Sequence, residues 1–418
     1  MHMQFQKRWR LFANVWQGID WLLLLLPVGL VIFATLVINS TQRNLGTSVY
    51  GWNHLGLGLV GLVIALWLSR SRYEHLLSLQ WIIYGVVNLL LVAVIFIGTV
   101  GLGAQRWITV LGFNIQPSEF AKLGLIITLA AILSRRDAST LWGVVTALAV
   151  TALPWSLVFI QPDLGTSLVF GAITLGMLYW ANGNPGWLLL LVSPVVAAIL
   201  FHLALPVWLL WSLLMGIVAW LTLPWRWFST VVATAVNLVC GKIGDVFWGL
   251  LQDYQKDRLI LFLDPDQDPL GGGYHLIQSR IAIGAGKLWG QGLGEGSQTQ
   301  LNFIPEQHTD FIFSAIGEEW GFAGCLAVLV VYWFICFRLV VIAQNAKDDF
   351  GSLLTIGVLA MILFQVTINV GMTIGLAPVT GIPLPWLSSG RSALLTNFIA
   401  LGLVESVANF RYRLKFTD

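Results

Sequence analysis

Long apolar runs, separated by short polar or basic turns, recur from one end of the chain to the other. A helix needs about 20 mainly apolar residues to cross a bilayer. Twelve runs meet that length and predict helices near residues 19–38, 54–69, 77–100, 117–134, 140–160, 163–181, 187–204, 206–223, 228–250, 312–337, 352–376 and 392–410. They are too long for barrel strands, and a span in lipid must satisfy its own backbone groups, so helices are the expected form. No fixed-period repeat, soluble appendage or low-complexity tail interrupts them. The expected fold is an all-α integral membrane protein, a polytopic bundle of about twelve helices forming a single domain over residues 1–418. The first run follows Lys7, Arg8 and Arg10 and precedes no small-residue cleavage site, so it is expected as a mature span.

Composition agrees with this pattern. Apolar residues make up 57% of the 418 and charged residues 10%, against about 25% charged in a soluble domain. A net charge of +2 with no basic block excludes a nucleic-acid partner and a disordered chain. Cys240, Cys325 and Cys336 lie in apolar runs without metal or redox spacing and are expected in the core or facing lipid. With a cytoplasmic N-terminus, thirteen of the 22 Lys and Arg fall on inner segments: Lys7, Arg8, Arg10, Arg70, Arg72, Arg135, Arg136, Arg226, Arg338, Lys347, Arg411, Arg413 and Lys415. That bias places both termini in the cytoplasm.

One outer segment departs from the bias. Residues 253–309 form a large polar loop carrying Lys256, Arg258, Arg280 and Lys287. Loops of that length without structure are uncommon and usually functional. Tyr274–Trp289 is expected as a short amphipathic helix on the membrane surface. Cations kept outside suggest an anionic ligand; a long loop is equally free to carry any charge.

Ionisable groups in a bilayer are costly and mark function by default. Glu119, Asp163, Asp245, Asp310, Glu318 and Glu319 stand out in or beside the runs. Glu119 and Lys122 are three apart on one predicted helix, either a packing bridge or a device that positions an anion or proton. Arg106 lies just before them and could reach a phosphate. Asp163 opens the sixth run, as a helix cap or facing the same outer cavity as Glu119. Asp264 to His275 begins like a calcium loop, but Pro269 and His275 occupy positions that need Gly and Glu, so a turn-rich segment is expected. The Gly-rich stretch from Gly284 to Gly296 has no Walker pattern and reads as a tight loop. Glu306, His308 and Asp310 cluster where the outer loop re-enters the membrane. A carboxylate there is partly desolvated and its pKa rises toward that of a useful base, unless Asp310 only caps the following helix. Gly381 to Arg391 suits a re-entrant turn, and Arg391 is either another outer cation for a ligand or a headgroup anchor.

Several of these segments together resemble the SEDS family of cell-wall polymerases (shape, elongation, division and sporulation), and its elongation branch more than its division branch. The matching pieces are Arg106-Trp-Ile with Gln116-Pro-Ser-Glu-Phe-Ala-Lys122, and Gln161-Pro-Asp-Leu-Gly-Thr166. Further along they are Tyr254-Gln, Phe262-Leu-Asp-Pro, Asp268-Pro and Gln278-Ser-Arg-Ile-Ala-Ile-Gly284. Then come Gln298, Leu301-Asn-Phe-Ile-Pro-Glu-Gln-His-Thr-Asp-Phe-Ile-Phe313, Gly317-Glu-Glu-Trp-Gly321, Asn369-Val-Gly-Met372 and Pro378-Val-Thr-Gly-Ile-Pro-Leu-Pro385. Two departures stand out. The family has about ten spans, and here the interval from Gln161 to Tyr254 is long enough for two more, so 187–250 is expected to hold extra, peripheral helices. The family's last outer turn commonly reads Ile-Ser-Tyr-Gly-Gly-Ser, whereas this chain reads Leu387-Ser-Ser-Gly-Arg-Ser392.

The resemblance implies a peptidoglycan glycosyltransferase of the bacterial plasma membrane, acting at the extracytoplasmic face on lipid II during elongation and rod-shape maintenance. Asp310 matches the family's catalytic aspartate. Arg106, Lys122, Arg258, Arg280 and Arg391 are the candidate cations for the lipid diphosphate, with Glu119, Asp163, Glu306 and His308 as further substrate-binding candidates. No cofactor is assigned; the diphosphate leaves room for a divalent cation, but no ligand set is legible. A class B penicillin-binding protein transpeptidase and membrane lipid are the expected partners. The competing reading is a flippase for the lipid-linked precursor, and a third is a nonenzymatic scaffold.

Overall fold

The computed structural model describes residues 18–43, 49–101, 104–110, 113–250, 253–269, 271 and 273–411. Lys7, Arg8, Arg10, Arg413 and Lys415 lie outside them, as do the side chains of Asp245 and Tyr254. Each of the twelve apolar runs is a helix. They are α1 (Trp21–Thr41), α2 (Val49–Leu68), α3 (His75–Ile97), α4 (Pro117–Leu133), α5 (Leu141–Ile160), α6 (Leu164–Trp180), α7 (Pro185–Leu203), α8 (Leu205–Thr222) and α9 (Arg226–Leu250). After α10 (Asp253–Leu263), α11 (Tyr274–Ala285) and α12 (Ser297–Gln300) come α13 (Ile312–Gln344), α14 (Asp349–Ile374) and α15 (Arg391–Asn409). Among the described residues, nine helices are long and apolar enough to cross a membrane. Both α4 and α6 fall just short at 17 residues.

Capping explains many of the helix starts. The side chains of Asp20, Thr140, Asp163, Asn184 and Asp348 each accept a backbone N–H of the first turn, satisfying donors a helix cannot pair itself. Pro117 and Pro185 occupy first-turn positions where a missing N–H costs nothing.

The expected all-α bundle is present, and it carries one small non-helical addition. The third run was expected to reach residue 100, but α3 stops at Ile97 and Gly98 turns the backbone extended. Three antiparallel strands follow, β1 (Thr99–Gly101), β2 (Ala104–Val110) and β3 (Phe113–Ile115), in the order β1-β2-β3. Gly98 and Gly101 bracket the first strand, and glycine is among the poorest helix formers. The hairpin carries Arg106 over the end of the bundle.

Within the bundle α4 is central, every residue but Phe120 being buried. It packs against α3, α5, α6, α14 and α15. Residues 187–250 form α7–α9, which pack mainly on one another and reach the rest of the bundle through α6. Leu221, Trp225, Trp227 and Phe228 of that group are exposed, as suits a lipid-facing surface.

The long segment before α13 is more ordered than a loop. Tyr274–Trp289 was expected to lie flat on the membrane; the helix runs only from Tyr274 to Ala285 and packs on α13 and α14. Its buried Ser279 hydroxyl pairs with Ser314 (2.6 Å) and donates to the Thr373 carbonyl (2.6 Å). The Gly-rich stretch that follows fills a break in α13. Gly321 (φ 65°, ψ −164°) interrupts that helix, a conformation that an L side chain rarely adopts. The freed N–H groups of Phe322 and Ala323 donate to Lys287 (2.9 Å) and Leu288 (3.0 Å), while the carbonyls of Glu318 and Glu319 accept from Gln291 (2.9 Å) and Gly292 (3.1 Å). Irregular backbone survives at this depth because protein supplies the partners that lipid lacks.

Candidate active site

Asp310 lies in the turn ahead of α13. It does not cap that helix: Phe311 holds the cap position, without a side-chain bond. Other segments fix the turn. Asn369 of α14, fully enclosed, donates through Nδ2 to the carbonyls of Asp310 (2.9 Å) and Ile382 (2.8 Å). The Ser388 hydroxyl donates to Thr309 O (2.7 Å), and Ser389 N–H donates to His308 O (3.0 Å). Gln307 reaches Thr41 O of α1 (3.2 Å). The 381–391 turn, α14 and α1 therefore hold the 306–311 turn from three directions.

Charge converges on the Asp310 carboxyl. Burial raises its pKa from 3.8 to about 6; Glu306 adds to the rise, Arg258 and then Arg106 oppose it, and Asp163 contributes a smaller rise. Gly381 (φ 71°) leaves the space open: a Cβ there would sit 3.5 Å from Asp310 Oδ2 and 4.0 Å from Arg258 Nη1. A half-buried carboxylate titrating near 6 is ionised at neutral pH yet basic enough to accept a proton.

The predicted residues divide by location. Arg106 donates from β2 to the Pro162 carbonyl, tying the hairpin to the start of α6. Asp163 is both cap and site neighbour. Its Oδ1 accepts Thr166 N–H (3.2 Å), and its Oδ2 accepts the Thr166 hydroxyl (3.0 Å), Gln116 Nε2 (3.1 Å) and the Ser118 hydroxyl (3.5 Å). Lys122 Nζ and Glu119 Oε2 are 2.7 Å apart, with 1% and 3% of their side chains exposed. That is a buried ion pair within α4, and neither group is among the charges that shift Asp310. Arg280 is not part of the cluster; its Nη2 donates to Gly375 O at the end of α14 (3.2 Å). Arg391 lies elsewhere again, its guanidinium 5.8 Å from the Phe113 ring. The His308 ring packs on Tyr50 (centroids 5.3 Å apart), and burial lowers its pKa against the pull of Glu306.

Glu318 and Glu319 serve the fold. Glu318 accepts the N–H groups of Gln298 and Thr299 (both 2.8 Å), and Glu319 accepts the Ser40 hydroxyl and Gly294 N–H (3.3 Å). The Asp264 segment is a short 3₁₀ turn, with Asp268 accepting Gly271 N–H (3.0 Å). Cys325 is buried and Cys240 and Cys336 are half-buried, all three as free thiols.

Two described relatives of known activity and one solved structure put this arrangement in context. The model of the FtsW, RodA and SpoVE family, described as cell cycle proteins, matches residues 17–210 and 206–413. The chain belongs to this family, the SEDS proteins. The peptidoglycan glycosyltransferase RodA of Treponema pallidum is 36% identical over 421 residues, covering 93% of this chain and 97% of that one. The peptidoglycan glycosyltransferase MrdB of Escherichia coli K12 is 33% identical over 397 residues, covering 94% of each. A chain from a structure described as structural coordination of polymerization and crosslinking by a peptidoglycan synthase complex superposes with a TM-score of 0.71 at 29% identity, covering 95% of this chain and all of that one. Every residue of the cluster around Asp310 lies within the family match.

Sequence reasoning missed three contributors to this SEDS site. Asn369 was quoted within a motif but given no role, although a lone amide in an apolar span is itself a signal. His275 stacks on Phe311 (5.9 Å) and lies in the field of Arg258 and Glu306; nothing local marks it. Tyr50 comes from α2. The same signal that marks Asn369 also marks Glu405, enclosed at the far end of the bundle, where it accepts Asp20 N–H (3.0 Å) beside the Asp20–Arg338 ion pair.

Proposed function

We infer that this membrane-embedded SEDS protein is a peptidoglycan glycosyltransferase that polymerises lipid II, with Asp310 as its general base. The observation that carries the reading is one carboxyl at the bundle end, on a turn whose backbone carbonyls are held by Asn369, Ser388 and Ser389, its pKa raised by burial to about 6 in the field of Arg258 and Arg106. The acceptor's 4-hydroxyl attacks the anomeric carbon of the donor sugar. Its proton passes to Asp310, the new C–O bond forms, and the bond to the lipid diphosphate breaks with inversion. The leaving diphosphate gains negative charge, which fixed cations stabilise most effectively where water is thin. Arg258 and Arg106 are placed to do this, while buried Lys122 keeps the helix beneath them in place.

Among the described residues no three His, Cys, Asp or Glu side chains group to hold a metal. The site faces the extracytoplasmic side with both termini inside, following the Lys/Arg bias. Two of α7–α9 are additions to a family core of ten. The synthase-complex relative supports a class B penicillin-binding protein as partner. A flippase needs a polar path across the bilayer; here the groups bearing chemistry collect at one end, and at the other Asp20 pairs with Arg338 and Glu74 with Lys347 (3.0 Å).

The test is polymerisation of purified lipid II by the detergent-solubilised protein, where no compartments exist. Wild type is expected to make glycan and Asp310→Ala none at equal expression and folding. Glycan made by Asp310→Ala at the wild-type rate would overturn the assignment.

A further inference from the structure

When lipid II is the only substrate, the first transfer joins two lipid-linked sugars. Two lipid-linked molecules must then be bound at once: the donor's diphosphate leaves from the carbon beside Asp310, while the acceptor's diphosphate lies at the far end of its disaccharide from the reacting 4-hydroxyl and needs a position of its own. Arg106 and Arg258 form the cluster that Asp310 feels. The structure offers a second anion position on the His308 side of the catalytic turn.

A shallow crevice, open to the outside and enclosing only about 20 Å³, lies there between the start of α2 (Tyr50, Asn53, Leu57) and the last turn before α15 with its first helical turn (Ser389, Arg391, Leu394). It shares a wall with the catalytic turn, since Tyr50 packs on the His308 ring and Ser389 binds the His308 carbonyl. Arg391 is exposed and, among the described residues, makes no ion pair or hydrogen bond. Its guanidinium lies over the Phe113 ring, 5.8 Å from the centroid, a cation–π contact that leaves its N–H groups for an oxyanion. His54 Nε2 donates to Trp386 O (3.2 Å), so that ring is wall rather than ligand. Below the polar mouth lie Leu57 and Leu394, and the exposed Val60, Val63 and Trp67 continue down α2. A cation at the mouth, an aromatic beside it and an apolar track leading away match a phosphate head on a long hydrocarbon chain.

We propose that the Arg391 crevice binds the phosphate of the second lipid-linked substrate, the acceptor, with its isoprenoid chain descending along α2. Arg391 is then a binding residue at a position where the family commonly has glycine. The proposal rests on the polymerase reading, and the tests separate the two. Arg391→Gly introduces the family's own residue and should fold. It is expected to raise the KM for lipid II roughly tenfold, the factor equivalent to about 1.4 kcal/mol, with kcat unchanged, and Arg391→Lys to fall between. An unchanged KM overturns the proposal while polymerase activity stands. The same assay with and without phosphatidylglycerol in the micelles distinguishes bulk headgroups. If Arg391→Gly alters only the response to that lipid, the crevice takes membrane phosphate and the acceptor assignment fails. Native mass spectrometry of Asp310→Ala protein gives a readout free of turnover. Two bound lipid II molecules are expected, falling to one when Arg391→Gly is added. A stoichiometry indifferent to Arg391 overturns the proposal whether or not the protein polymerises.

Discussion

Replacing Asp310 with Asn should stabilise the protein while abolishing its chemistry. The side chains are nearly isosteric, so the change removes charge and little else. A carboxyl that titrates near 6 in the folded state rather than 3.8 resists ionisation there by about 3 kcal/mol. The sign follows from proton binding. Below pH 3.8 both folded and unfolded states hold the proton and the cost is absent. Between 3.8 and 6 the unfolded chain ionises first, so folded stability falls as pH rises. Above 6 the full cost persists. Asp310→Asn escapes it, and its thermal unfolding midpoint in detergent should exceed that of wild type at pH 7.5. The margin should shrink through pH 6 and vanish near pH 4. An equal or lower midpoint at pH 7.5 would show that the carboxylate is net stabilised where it sits, which would remove the physical basis for calling it a base.

The rate of glycan synthesis should rise with pH through about 6; Arg258→Gln should move that midpoint upward and Glu306→Gln downward, because the guanidinium lowers and the second carboxylate raises the Asp310 pKa, as pH–rate profiles would reveal. Asn369→Ala strips the carbonyls of Asp310 and Ile382 of a donor. It should cut kcat roughly ten- to a hundredfold through misplacement with little change in KM, in steady-state kinetics. Glu119→Ala leaves the Lys122 ammonium buried without its partner. It should cost about 3–5 kcal/mol of stability, and adding Lys122→Met should recover most of the lost thermal midpoint.

What the sequence settled by itself was local. Run length set the twelve apolar helices, because crossing a hydrocarbon layer is a property of one segment at a time. The Glu119–Lys122 bridge was legible because three residues along a helix bring two side chains onto one face. The Asp163 cap needed only its own first turn. Even the break at Gly98 was foreshadowed by the glycines that follow, though the apolar run concealed it. What tertiary structure alone decided was which expensive groups meet. Arg258 and Arg280 lie in the same polar segment, yet α10 carries the first to Asp310 while packing of α11 on α13 and α14 commits the second to Gly375. Arg106 comes to the site on a hairpin that no helical periodicity predicts. Asn369, 59 positions from Asp310 along the chain, fixes it because α14 ends beside the catalytic turn. Such meetings depend on how helices pack, and the hydrophobic pattern that makes a helix span a membrane leaves its neighbours unspecified.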